Sequence, residues 1–345
     1  MNLKKTQPKK IRVNLISESE FTVQGHGVHT AFVEMKRALS EHSAIELSVN
    51  SKQRDFDIVH VHTVGLFSLR RLLSAKGKKV ITAHLVPDSF IGSLRGAIYW
   101  KPLARLWLKL FYRQGDLVVG CSAMVRDELH DDMGLQHVDL LYNTIDMRRY
   151  DATPAERVAA RKKLGLDKND FVVVGNGQVQ PRKRLDTFFA IAKAMPDAKF
   201  FWVGGTPFGK IGAEYEKMQK LVKEAPENVT MTGLIPLEEV RDYYTVADTF
   251  VLPASQENHP MCVLEAAGAN LPIVLRDIPQ YSDSFKGHAI MASTDTEFVS
   301  AVRNIRNDAA FREEALAGSR RIRDRFDSRH GAELAVAFYR QLLEK

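Results

Sequence analysis

Short apolar runs alternate with amphipathic stretches along the whole chain, the pattern of an α/β protein built on parallel sheets. In the first half, strand-like runs fall at residues 11–17, 44–49, 57–62, 79–83, 117–120 and 138–141. Helical periodicity occupies residues 28–40, 66–75, 101–113 and 123–132 between them. Periodicity is lost over residues 143–154, which read as a linker, and resumes at FVVVGNG, residues 171–177. Further strands are expected at 199–203, 229–232, 249–252 and 273–275. Two closing helices are expected near 295–325, with a break at Asp308, and over 328–343. The architecture this predicts is two doubly wound, Rossmann-like domains, residues 1–150 and 151–327, facing across a cleft. A last segment, 328–345, packs back towards the first domain. Ligands of such sheets bind outside the carboxyl ends of the strands.

Composition changes this picture little, and charge changes it more. The chain has 345 residues, 45% of them hydrophobic and 26% charged, an ordinary globular mix. No apolar run approaches the ~18 residues of a membrane-spanning helix. The basic start runs straight into a strand rather than an export signal, and Cys121 and Cys262 stand apart. A reducing cytoplasm is the expected location. The net charge of +7 is not shared evenly: residues 1–150 hold 22 Lys and Arg against 15 Asp and Glu, and the remainder is balanced. A basic first half suits an anionic surface, membrane or nucleic acid, unless it is only a solubility charge.

Three segments carry candidate chemistry. In SQENHPMCVLEAAGANLPIV, residues 255–274, Glu257 lies in a loop after a strand and Glu265 one turn into a helix that starts near Met261. The N–H groups of Met261, Cys262 and Val263 at such a helix start attract phosphate, and a carboxylate beside them suits sugar hydroxyls. In GNGQVQPRKRLDTFF, residues 175–189, a strand enters a glycine-bearing turn and then a basic cluster, Arg182, Lys183 and Arg184. Such cations neutralise the charge that develops on a leaving diphosphate. In QGHGVHTAFVEM, residues 24–35, Gly25 and Gly27 permit close backbone approach before a helix, although an ordinary strand–helix turn reads the same way. His60, His62 and His84 end two strands and so belong at the rim of the cleft. Asp55 and Asp57 spell a D-x-D at the start of a strand, away from the cleft, and read as turn chemistry.

The segment holding Glu257 and Glu265, with its flanks VADTFVLPAS and LEAAGANLPIV, resembles the signature of retaining glycosyltransferase family 4, whose fold is called GT-B. The resemblance extends over nearly the whole chain and is strongest in the C-terminal half. It implies that Glu257 lies by the donor sugar and pyrophosphate, that Glu265 binds the nucleotide ribose, and that His84 lies near the donor sugar. It places Lys183 on the family's lysine. The arginine usual after the family's glycine is Gln178 here, and the glycine usual after the lysine is Arg184. The second diphosphate cation is therefore Arg182 or Arg184. Gly204 and Gly205 fall where the family places its base and phosphate loop, and Asn143 with Asp146 fall on its hinge. The QPRKR and QGHGV variants are similar to a subset that glycosylates diacylglycerol lipids. The implied activity is transfer of glucose or galactose, with retention, from a UDP-sugar to diacylglycerol or its monoglycosyl form. No metal cofactor and no nucleic acid partner are expected; the anionic partner is then the inner face of the cell membrane. The rivals are an enzyme of the same family acting on a soluble acceptor, and an idle scaffold binding lipid or nucleic acid.

The membrane contact is expected in KPLARLWLKLFYR, residues 101–113. Lys101, Arg105, Lys109 and Arg113 repeat every four residues, opposite Leu103, Trp107, Leu110 and Phe111, and Pro102 suits a first turn. A core helix with its apolar side on its own sheet has the same periodicity.

Overall fold

The computed structural model describes residues 9–22, 27–91, 93–207 and 209–345. The first domain runs β1 (Ile11–Ile16), α1 (Gly27–Glu41), β2 (Ile45–Val49), β3 (Ile58–Val61), α2 (Leu66–Ser74) and β4 (Lys78–Ala83). It continues with α3 (Ala97–Tyr112), β5 (Leu117–Gly120), α4 (Ala123–Asp127) and β6 (Val138–Leu140). The second runs α5 (Pro154–Lys163), β7 (Val172–Asn176), α6 (Leu185–Ala194), β8 (Lys199–Val203), α7 (Tyr215–Lys223) and β9 (Val229–Met231). After these come α8 (Leu237–Val246), β10 (Thr249–Leu252), α9 (Met261–Gly268), β11 (Ile273–Arg276) and β12 (Ile290–Ala292). Three helices close the chain: α10 (Asp295–Asn307), α11 (Ala309–Arg325) and α12 (Ser328–Glu344).

Each domain holds one six-stranded parallel sheet, ordered β2-β1-β3-β4-β5-β6 and β12-β11-β10-β7-β8-β9. The strand order reverses between β1 and β3 in the first sheet and between β7 and β10 in the second. Chains leaving the two strands on either side of such a switch point diverge, which opens a crevice at their carboxyl ends. Strands such as VVV in β7 and TFVL in β10 are buried on both faces, which is why they read as unbroken apolar runs. Helices cover both faces of each sheet, giving two core clusters per domain.

Helix α12 leaves the second domain and completes the core of the first. Ala332, Ala335, Val336, Phe338, Tyr339 and Leu342 pack with Val13, Leu15, Phe32 and Leu39. The approach is tight at Gly331, where a Cβ would lie 2.3 Å from Thr144 Oγ1. A second tie comes from Glu34 on α1: its buried carboxylate accepts from the Asp146 N–H at 3.0 Å and pairs with Arg149.

One expectation needs correction, and two elements were not expected. Helix α3 begins at Ala97, not near Lys101, because Gly96 at φ 68° turns the chain into it and Pro102 is carried inside the helix. The linker ends in α5, whose start carries a capping box between Thr153 and Glu156 and a proline at its first position. The three-residue edge strand β12 is too short to stand out as a pattern.

Candidate active site

The two domains enclose a cleft of about 620 Å³. Its second-domain wall includes the loops after β7 and β10, the strands that flank the switch point, with residues that follow β8 and β9. Topology therefore brings Arg182 and Lys183 to Glu257 across some 75 residues of chain. Glu257 Oε1 lies 2.5 Å from Lys183 Nζ and 2.9 Å from Arg182 Nη1. All three line the cleft, and Lys183 and Glu257 are buried. Burial pushes the Glu257 carboxyl up, but Lys183 and then Arg182 outweigh it and hold it below its ordinary range. A carboxylate with two cations leaves a net positive charge, the sign a diphosphate seeks.

Arg182 is held on several sides. Its Nε donates to Ser93 Oγ at 2.8 Å and Gln180 Oε1 at 3.1 Å, and its Nη1 donates to the Gln256 carbonyl at 3.0 Å. Ser93 belongs to the first domain, so Arg182 is braced from across the cleft. Arg184 goes elsewhere. It occupies the left-handed region at φ 52°, where the glycine it replaces costs nothing, and its guanidinium binds Asp186. It does not line the cleft. Between the two candidates, Arg182 is the cation the fold delivers.

Glu265 sits on α9, buried, and accepts from the Tyr244 hydroxyl at 2.8 Å, with Asn176 Nδ2 at 3.4 Å. Burial raises its carboxyl to about 7, against the hydrogen bond from Tyr244. A carboxylate that is costly to ionise alone and lies at a cleft wall is ready for a pair of hydroxyl donors. Met261 and Cys262, at the start of α9, line the cleft. Val263 does not: its side chain is core, and its N–H bonds back to the Pro260 carbonyl at 3.2 Å. Gln178, Gly204 and Gly205 line the same wall. The two loops are laced together, Gly177 N–H to the Val203 carbonyl at 2.9 Å and Val179 N–H to the Gly205 carbonyl at 2.8 Å. A Cβ on Gly204 would lie 2.3 Å from the Gly177 carbonyl oxygen, so only glycine fits.

Residues 15–149 match the family described as Glycosyltransferase Family 4, and residues 156–317 match Glycosyl transferases group 1. The chain is 30% identical to the alpha-galactosylglucosyldiacylglycerol synthase of Streptococcus pneumoniae, over 96% of this chain and 90% of that protein. The chain belongs to glycosyltransferase family 4. It is 27% identical to the processive diacylglycerol alpha-glucosyltransferase of Acholeplasma laidlawii, over 86% of this chain and 88% of that one. Among solved structures, sucrose-phosphate synthase from Thermosynechococcus elongatus superposes with a TM-score of 0.80 at 16% identity, covering 97% of this chain and 100% of the other. WaaG superposes at 0.67 with 15% identity, over 95% and 99%. Both confirm the GT-B fold.

The first-domain wall of this glycosyltransferase comes from the loops after β1, β3 and β4. His84 lines it and its carbonyl accepts from Asn258 Nδ2 at 3.0 Å. Gly27 opens α1 and faces open space, where a Cβ would meet nothing within 4 Å. Gly25 lies outside the described residues. Asp88 and Leu94 reach the second domain: Gln256 Nε2 donates to the Asp88 carbonyl at 2.7 Å, and Leu94 bridges to Gly212. Asn143 Nδ2 donates to the His259 carbonyl at 2.9 Å, and Asp146 caps the turn that follows, so the expected hinge residues do sit at the domain junction. Asp55 and Asp57 bind Arg12 at the far end of the sheet.

Sequence reasoning missed Tyr244, Asn176 and Ser93. Tyr244 lies on the buried stripe of α8 and reads as core. Asn176 ends β7 and offers the clearer signal, a polar residue at the carboxyl end of an apolar strand. The faces of α3 also differ from expectation. Trp107 and Phe111 pack into the core, and Trp107 Nε1 donates to the Val64 carbonyl at 2.9 Å. Leu103 and Leu110 are exposed instead, with Ile98, Tyr99 and Leu106. Lys101 pairs with Asp88, and Arg105 donates to the Asp132 carbonyl, so two of the four expected surface cations are engaged within the domain. Among the described residues, no helix is long and apolar enough to cross a membrane.

Proposed function

We propose that this glycosyltransferase moves glucose or galactose from its UDP-sugar to diacylglycerol or a monoglycosyl-diacylglycerol, with retention of the α configuration. The observation that carries the reading is the buried Glu257 bridged by Lys183 and Arg182 beside Glu265. Glu265 accepts the ribose hydroxyls. Lys183, Arg182 and the start of α9 take the diphosphate, so the cations that a metal would otherwise supply are side chains. Glu257 and His84 orient the hexose. Glu257 is held by two cations and Glu265 is given to the ribose, so neither is assigned as a nucleophile, and same-face attack, with the departing phosphate accepting the acceptor's proton, is read in preference to double displacement. Transfer that continues in excess chelator supports the metal-free assignment, and complete loss restored by Mg²⁺ or Mn²⁺ overturns it.

The lipid acceptor is supported by the two diacylglycerol-named relatives and by α3. Tyr99 is 88% exposed and Leu103 70%, and with Ile98, Leu106 and Leu110 they form an apolar stripe on a helix flanked in sequence by Arg95 and Arg113. A helix with this surface lies in the headgroup region and docks reversibly on an anionic bilayer. The test is mass spectrometry of lipid products after supplying UDP-glucose and UDP-galactose separately, with anionic vesicles containing either acceptor. A hexosyl lipid from one donor is expected. Hexose on a soluble acceptor alone sinks the lipid reading.

A further inference from the structure

Behind His84 lies a histidine array, of which His62 also reaches the wall of the cleft. His62 Nδ1 is 3.1 Å from His84 Nε2, with the rings tilted by 31°. His60 is fixed at both nitrogens, Nδ1 to Tyr339 Oη and Nε2 to Thr82 Oγ1, each at 2.7 Å. His60 and His62 are both buried; burial first, then the neighbouring histidines, hold His62 well below the ordinary imidazole range. Both rings are therefore neutral at working pH, with one N–H each. His62 Nε2 is buried and has no hydrogen-bond partner in the protein among the described residues. Beside it is a cavity of about 10 Å³ lined by His62, His84, Thr82, Asn143 and Thr144. That is room for one water with polar neighbours on several sides.

We propose that His62 is a positioning residue for His84: through the Nδ1–Nε2 hydrogen bond, with one water as the partner of its own Nε2, it fixes the tautomer and ring plane that His84 presents in the cleft. This rests on the reading of His84 as a donor-sugar contact. With His62 neutral, its bond to His84 carries one proton: where His62 Nδ1 donates, His84 Nε2 must accept, which leaves the His84 proton on Nδ1. Asn143 and Thr144 belong to the domain junction, so the water also ties the imidazole pair to the hinge.

Two substitutions separate the ends of the ring. Asn places its amide near Nδ1 and keeps the bond to His84; Gln places it near Nε2 and keeps the water. His62→Asn is expected to stay within about twofold of wild-type kcat, and His62→Gln to lose about tenfold, the scale of one hydrogen bond. Selective ¹⁵N-histidine NMR of the free enzyme, with His84 assigned by its loss in His84→Asn, reads the tautomer directly. One tautomer of His84 is expected in wild type and His62→Asn, and a mixture in His62→Gln. An unchanged His84 tautomer in His62→Gln, or equal turnover per folded molecule in both variants, overturns the proposal. If His84→Asn itself leaves turnover intact while the tautomer still responds to His62, it is the donor-contact reading that fails.

Discussion

Removing the Glu257 carboxylate should make the empty enzyme less stable and its grip on UDP stronger. In the free enzyme Glu257 is the acceptor shared by Lys183 at 2.5 Å and Arg182 at 2.9 Å. Glu257→Ala leaves a buried cation, Lys183, and a half-buried one, Arg182, without it. Breaking a buried pair by deleting one partner costs about 3–5 kcal/mol. At about 2–4 °C per kcal/mol for a domain of this size, the melting midpoint should fall by roughly 6–20 °C. UDP reverses the sign of the problem. In wild type its diphosphate must compete with Glu257 for the same cations and endure the repulsion of a carboxylate held ionised by them. In Glu257→Ala the cations are unpaired, and the diphosphate takes the carboxylate's place. The assay is thermal unfolding of wild type, Glu257→Ala and the neutral isostere Glu257→Gln at matched UDP concentrations, with transfer measured in parallel. The midpoint shift produced by UDP should be larger in both variants, while transfer is lost. A Glu257→Ala enzyme as stable as wild type, or one that UDP stabilises no more than wild type, would refute the reasoning.

Lys183→Ala removes a charge-assisted contact to the leaving group, about 1.5–3 kcal/mol, and should lower turnover about 10- to 150-fold with vesicle binding unchanged; normal turnover removes the diphosphate assignment. Glu265, raised to about 7 by burial, keeps its proton in the native state after the unfolded chain has lost it. Its contribution to the stability of the free enzyme therefore falls as pH rises from about 4.5 to 7, and the stability difference between wild type and Glu265→Gln in chemical denaturation should carry that slope. Affinity for a UDP-sugar, whose diphosphate does not titrate here, should rise over the approach to pH 7 and beyond, and a flat titration counts against a ribose role. Leu103→Ser with Leu106→Ser should lower co-sedimentation with anionic vesicles at unchanged stability, whereas Trp107→Ser should lower the melting midpoint, because only Trp107 is tied into the core. Wild-type vesicle binding by the double serine variant excludes α3 as the anchor.

Much of this is legible along the chain because it depends on neighbours in sequence. All six first-domain strands follow from short runs such as IRVNLI and DIVHVH, and the break at Asp308 from its capping role between α10 and α11. Glu257, Lys183 and Glu265 stand out because the segments that carry them are compact: a strand end, a short loop and a helix start. The capping box of α5 is equally local, at Thr153 and Glu156, and is masked only by the polar stretch around it.

Other features are properties of space. Arg182 and Arg184 have the same chemistry two residues apart, and only the left-handed turn at Arg184 sends one to Asp186 and leaves the other with Glu257. The apolar residues of α3 share one periodicity, yet the sheet beneath takes Phe111 and leaves Leu103 outside, because a helix rich in apolar residues on more than one side must be told by its neighbours which side is core. Tyr244 meets Glu265 from a helix 21 residues away, and Tyr339 meets His60 from 279 residues away. Sequence by itself determined all six strands of the first domain, most of the other elements and the chemistry each loop carries, since those follow from local periodicity and residue type. Which groups meet was decided by the reversal of strand order between β7 and β10 and the return of α12, since hydrogen bonds and ion pairs depend on distance in three dimensions and not along the chain.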